Sequence, residues 1–112
     1  MDVVIVDDLP SARTLMRHVV QEIGPQLNVH DFGVPEDALN WCEDNRPDLL
    51  LLDYRMPGMD GLELARAFRK SLRNRDVPIV LVTVVEDAPV RQAALDAGVI
   101  DFVVKPIKPR DV

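Results

Sequence analysis

Two kinds of hydrophobic spacing alternate along the chain. Four runs are short, unbroken and aliphatic: Val3-Val4-Ile5-Val6, Leu49-Leu50-Leu51-Leu52, Ile79-Val80-Leu81-Val82, and Val99-Ile100 continuing into Phe102-Val103-Val104. Apolar runs of this length, bounded by turn formers, predict strands buried on both faces. The leucine run fits a helix on periodicity alone, but its shortness and the flanking Pro47 and Pro57 favour a strand. A fifth run, Val29-His30-Asp31-Phe32, is mixed in polarity and predicts an edge strand.

Between these runs the apolar positions recur by threes and fours. Ala12, Leu15, Met16, Val19, Val20 and Ile23 mark one face of a helix that Gly24-Pro25 stops. Pro35 starts a second helix, which runs through Trp41 and Cys42 to about Asn45, with Pro47 following. Asp60 is the expected N-cap of a third, carrying Leu62, Ala65, Phe68 and Leu72. Asp87 and Pro89 open a fourth, carrying Val90, Ala93, Ala94 and Ala97, and Gly98 closes it. The order βαβαβαβαβ implies an α/β fold with a doubly wound, five-stranded parallel sheet and right-handed crossovers. A fifth helix is expected to begin near Lys108-Pro109-Arg110, so it is largely missing from these residues and one sheet face is left under-covered.

The polar residues fall where such a sheet does its chemistry. The first run ends in Asp7-Asp8, the third in Asp53, the fourth in Thr83 and the fifth in Lys105-Pro106. In open α/β sheets, ligands bind outside the carboxyl ends of the strands at the topological switch point. A strand order of 2-1-3-4-5 brings Asp7, Asp8 and Asp53 together, with Thr83 and Lys105 beside them. The edge strand ends in Phe32-Gly33 and is expected to bring no chemistry. Taken singly, each of these residues has a plain explanation. Asp7-Asp8 serves as a loop start and a helix cap, Asp53 and Asp60-Gly61 as turns, and Lys105-Pro106 as nothing in particular. Four strands ending this way change the reading. Three carboxylates in one crevice need a counter-charge, and a hard divalent cation such as Mg²⁺ is the natural one. A carboxylate can also capture a phosphoryl group as an acyl phosphate. Lysine would then neutralise the phosphate oxygens, and threonine would donate a hydrogen bond to them.

Composition narrows the classes. A chain of 112 residues makes one domain, spanning residues 1–112, with enough core to fold without disulfides. The net charge of −6, with no basic cluster, argues against direct nucleic-acid binding. The acids are 14 Asp and only 5 Glu, which turns attention to caps, turns and metal sites. No apolar run is long enough for a membrane span and no secretory leader is visible. The single cysteine, Cys42, cannot form an internal disulfide, so a cytoplasmic location is expected. Trp41, Cys42, Met16 and the two histidines, His18 and His30, read as packing or surface residues, and Met56 and Met59 as loop residues.

The segments Val-Val-Ile-Val-Asp-Asp (3–8), Leu-Leu-Asp-Tyr-Arg-Met-Pro-Gly-Met-Asp-Gly (51–61), Val-Leu-Val-Thr (80–83), Ala-Leu-Asp-Ala-Gly (94–98) and Phe-Val-Val-Lys-Pro (102–106) resemble the bacterial two-component response-regulator receiver (CheY-like) family. The likeness covers nearly the whole chain and implies a flavodoxin-like sheet. It implies that Asp53 is the phosphorylated nucleophile. Asp8, Asp53 and the backbone carbonyl of Arg55 would bind Mg²⁺ directly, with Asp7 acting mainly through water. Thr83 would be the switch hydroxyl, Phe102 the aromatic switch, and Lys105 the partner of the phosphoryl oxygens, followed by a cis peptide bond to Pro106. It also implies a histidine kinase or phosphotransfer protein as donor, an attached output domain in a longer protein, and a phosphorylation-dependent homodimer. The receiver itself would be no enzyme beyond promoting its own phosphorylation and dephosphorylation. Two positions depart from the pattern. Val84 stands where the family mostly has Ala or Gly, and Arg55 and Val85 occupy positions that tune dephosphorylation. The wording around Thr83-Val84-Val85 and Gly98–Phe102 resembles receivers attached to HD-GYP cyclic-di-GMP phosphodiesterase domains.

Three other readings compete. An aspartyl phosphatase would carry a second Asp two residues after the nucleophile, where Arg55 stands. A flavin-binding module would need a Gly/Ser/Thr phosphate loop where Asp7-Asp8 stands. A degenerate receiver, acting only as an interaction module, is opposed by the intact set of Asp7, Asp8, Asp53, Thr83 and Lys105, while Val84 keeps it open as the alternative.

Overall fold

The computed structural model describes residues 1–71, 74–83 and 88–105. The elements follow in the order β1 (Asp2–Val6), α1 (Pro10–Ile23), β2 (Asn28–Phe32), α2 (Pro35–Asp44), β3 (Leu49–Asp53), α3 (Gly61–Arg69), β4 (Ile79–Thr83), α4 (Ala88–Asp96) and β5 (Asp101–Val104). The strands form one sheet in the order β2-β1-β3-β4-β5, and every pair is parallel. The flavodoxin-like doubly wound architecture expected from the sequence is the one observed.

Strand side chains alternate between the two faces, as the pleat requires. Val4, Val6, Leu50, Leu52, Ile79 and Leu81 join the larger core with residues of α2, α3 and α4, among them Ala38, Cys42, Ala65, Phe68 and Ala94. Val3, Ile5, Leu51, Val82 and Val103 meet Met16, Val19 and Val20 of α1 on the opposite face. The runs in β1, β3 and β4 have no polar side because both of their sides are covered, whereas in the last run Ile100 and Val104 are exposed.

Local signals set the helix ends. Asp60 caps α3 as expected: its carboxylate accepts from Glu63 N at 2.9 Å, while the Glu63 carboxylate accepts from Asp60 N at 3.3 Å. This reciprocal box satisfies two donors that a helix start leaves open. Helices α1 and α2 both begin with proline, whose missing N–H costs nothing there.

Two expectations need correction. The last strand starts at Asp101, and Val99-Ile100 lies outside it. Val99 N still donates to Ala94 O at 3.0 Å, so the end of α4 claims this residue. In α1, Leu15 and Ile23 are 46% and 47% exposed, although the spacing places them on the buried face. Met16, Val19 and Val20 alone make the buried stripe, and Leu15 sits roughly 100° around the helix from Met16. Ile23 is the last helical residue: a 14-residue helix is about 21 Å long and a five-residue strand about 17 Å, so α1 overhangs the sheet. The expectations for Leu72, Val84, Val85, Asp87, Pro106 and the fifth helix fall outside the described residues.

Candidate functional site: an acidic pocket at the carboxyl end of the sheet

Strand order decides which side chains meet. Because β1 lies beside β3, and β3 beside β4, the residues ending these strands face one another. Asp7, Asp8 and Asp53 each offer a carboxylate oxygen, and these oxygens all lie within 4.8 Å of one another. Asp7 is fully buried, Asp53 is 6% exposed and Thr83 is 2% exposed. Lys105 Nζ reaches Asp7 Oδ2 at 2.9 Å and Asp53 Oδ1 at 3.0 Å.

Every polar atom of Asp7 is engaged. Its N donates to Phe32 O at 3.1 Å, and its Oδ1 accepts from Leu9 N at 3.0 Å. Its carbonyl accepts from the Arg13 guanidinium at 2.7 Å, and its Oδ2 takes the lysine. Asp53 differs. Burial pushes its carboxyl above the ordinary value; the Lys105 hydrogen bond opposes this, and the neighbouring Asp7 and Asp8 add to it. For Lys105, burial disfavours the ammonium, but the two carboxylates outweigh it and raise its pKa. Among the described residues, the three carboxylates have one ammonium in contact with them, which leaves their charge incompletely balanced. An all-oxygen, over-negative cluster of this kind fits a hard divalent cation such as Mg²⁺.

The floor of the pocket is fixed by backbone. Gly61 N donates to Tyr54 O at 2.7 Å, and a Cβ on Gly61 would run into the carbonyl oxygen of Asp53. Only glycine lets α3 start this close to the strand end. Lys105 N donates to Thr83 O at 2.7 Å, which sets the two neighbouring strand ends in register. Arg55 is exposed, with its guanidinium over the Tyr54 ring at 5.8 Å, and it borders a cleft of about 460 Å³ with Met56, Pro57 and Asp60. Phe102 is half-buried under the Arg91 guanidinium, 5.2 Å from the ring centre. Asp7, Asp8, Asp53 and Lys105 thus converge, with Thr83 on the adjoining strand end; Arg55 and Phe102 stand at the sides.

Arg13 was not visible in the sequence as part of this site. It lies six residues after Asp7 and turns back from the first turn of α1, a contact with no local spacing signature. The edge strand also contributes support, since Asp31 pairs with Arg13 at 3.4 Å.

Comparison with known proteins agrees with this geometry. The family model of the response regulator receiver domain matches residues 3–112. The cyclic di-GMP phosphodiesterase response regulator RpfG of Xanthomonas campestris pv. campestris (strain 8004) is 64% identical over 112 residues, which is all of this chain and 30% of that protein. Response regulator UvrY of Escherichia coli (strain K12) is 32% identical over 112 residues, which is half of its length. Both relatives therefore extend well beyond the region this chain spans. Among solved structures, chemotaxis protein CheY4 of Vibrio cholerae superposes with a TM-score of 0.91 at 28% identity, covering 98% of this chain and 90% of that one.

Proposed function

The chain belongs to the response regulator receiver domain family, and from that premise we propose that it accepts a phosphoryl group on Asp53 in a Mg²⁺-dependent reaction. The observation that carries this reading is the buried Asp53 carboxylate, set within 4.8 Å of two others and 3.0 Å from a lysine ammonium. The donor is the phosphohistidine of a histidine kinase or phosphotransfer protein, or a small acyl phosphate. A carboxylate oxygen of Asp53 attacks phosphorus. The new P–O bond forms as the P–N or P–O bond to the donor breaks, and the electron pair leaves with the donor group.

The residues divide the work. Asp8 and Asp53, with the Arg55 carbonyl, would hold Mg²⁺. Asp7 acts through water, in keeping with its two carboxylate oxygens being committed to Leu9 N and Lys105. When bound, the cation neutralises charge on the carboxylates and on the transferring phosphoryl oxygens. Lys105 holds a phosphoryl oxygen by its ammonium, and the Thr83 hydroxyl donates to another. The added charge and acceptor atoms then bias a two-state element, in which Phe102 moves with Thr83.

We extend the reading to a cytoplasmic receiver at residues 1–112 of a longer response regulator, since RpfG carries the matching region as 30% of its length. Its output domain is then a cyclic-di-GMP phosphodiesterase of the HD-GYP type, and phosphorylation promotes a homodimer. The test is intact-mass spectrometry after incubation with acetyl phosphate. A gain of about 80 Da, the mass of the added HPO₃ group, is expected with Mg²⁺. It should be lost without Mg²⁺ and in Asp53→Asn. A gain that persists in Asp53→Asn would overturn the assignment.

A further inference from the structure

Arg13 and Gly33 lie outside the set of acids and the lysine, yet both bear on the Asp7-Asp8 peptide. The Arg13 guanidinium donates to Asp7 O at 2.7 Å. That carbonyl belongs to the same planar peptide unit as the N–H of Asp8, so holding one atom fixes the plane from which the Asp8 side chain leaves. The guanidinium is itself held by Asp31 on β2, which also pairs with Arg17. It occupies space that a side chain on the next loop would fill: a Cβ on Gly33 would lie 2.6 Å from an Arg13 terminal nitrogen.

We propose that Arg13, seated in the space left by Gly33, is a positioning residue that orients Asp8 and thereby sets the divalent-cation affinity of the acidic pocket. This rests on the Mg²⁺ reading above. Two effects of Arg13 oppose each other. Its charge lies close to the pocket and works against a cation. Its hydrogen bond preorganises the acid that would bind one. Asp31 and the Asp7 carbonyl already engage the charge, so orientation prevails. Groups that orient metal ligands from behind are worth about 10–100-fold in metal affinity.

Titration calorimetry with Mg²⁺ separates the effects by sign. Arg13→Met should weaken binding about tenfold, whereas a charge effect alone would tighten it. Gly33→Ala keeps every charge and displaces only the flexible end of Arg13, so it should weaken binding in the same direction with little cost to the fold. In the Arg13→Met background, Gly33→Ala should add nothing, because there is no guanidinium left to displace. Thermal unfolding of each variant confirms that the folded protein was titrated. Wild-type protein that binds Mg²⁺, with both single variants binding as tightly or more tightly, overturns the positioning role and leaves the function intact. Wild-type protein that binds no Mg²⁺ overturns both.

Discussion

The two ends of the sheet carry the same side chain under opposite electrostatic conditions. At the amino end, Asp2 lies 3.0 Å from His30 Nε2, and this hydrogen bond pulls its carboxyl below the ordinary value. Asp48 is settled by backbone: its carboxylate accepts from Asp2 N at 2.7 Å and its own N donates to Asp2 O at 2.8 Å. Arg69 closes the same end by donating to the carbonyls of Asn74, Val77 and Gly98, which ties α3 to the starts of β4 and β5. At the carboxyl end, Asp7 and Asp53 share one lysine beside a third acid, Asp8, and Asp53 is pushed up instead of down. At the amino end Asp2 has a partner of its own, whereas in the acidic pocket Asp7 and Asp53 divide one ammonium. A pocket short of counter-charge is less stable and open to a cation, whose charge would in turn admit a phosphoryl group.

This contrast can be broken experimentally, beginning with the largest effect. Arg69→Met should destabilise the domain by about 2–4 kcal/mol in urea unfolding, because three partly buried carbonyls lose a charged donor. Mg²⁺ affinity of the folded protein should be unchanged. A silent substitution would mean that the amino end is not held by this residue. Lys105→Met should cost about 1–3 kcal/mol at pH 7 without divalent cations. The cost should shrink when Mg²⁺ is added or the acids are protonated; equal cost under all conditions would place the effect in packing.

Asp53→Asn should do the reverse. An acid whose folded pKa is raised penalises the fold once ionised. The penalty is complete above the folded pKa and vanishes below the unfolded value of 3.8. The substitution should therefore raise stability and Tm at neutral pH, with the gain fading as pH falls through the folded pKa. A loss of stability at pH 7 would contradict the charge shortage. The smallest change is expected for Asp2→Asn. Its folded pKa is lowered, so its contribution is present above 3.8 and lost as pH falls through the folded value. The variant should unfold slightly earlier at neutral pH and match wild type in strong acid.

The site was largely readable from the chain because its acids, hydroxyl and lysine follow directly on aliphatic runs, and the topology brings such ends together. Asp60 was readable for the same reason: capping is decided within four residues. The start of β5 was not, because whether Val99 joins a strand or a helix end depends on Ala94 O, and both outcomes fit an apolar residue. Leu15 and Ile23 were misplaced because helical spacing fixes a face but not how far the sheet reaches beneath it. Arg13, Arg69 and the His30–Asp2 pair were invisible for a third reason. Each joins elements distant in sequence or turns back from a helix, and an arginine on an amphipathic helix looks the same whether it faces water or a carbonyl.

The central claim is that Asp53 alone in the acidic pocket takes the phosphoryl group. The most direct measurement treats the protein with Mg²⁺ and acetyl phosphate, reduces the acyl phosphate with borohydride, and maps the reduced residue by peptide mass spectrometry. Reduction at Asp53 alone is the predicted result. Reduction at Asp7 or Asp8, or a phosphoryl group on His18 or His30 that borohydride leaves in place, would contradict it.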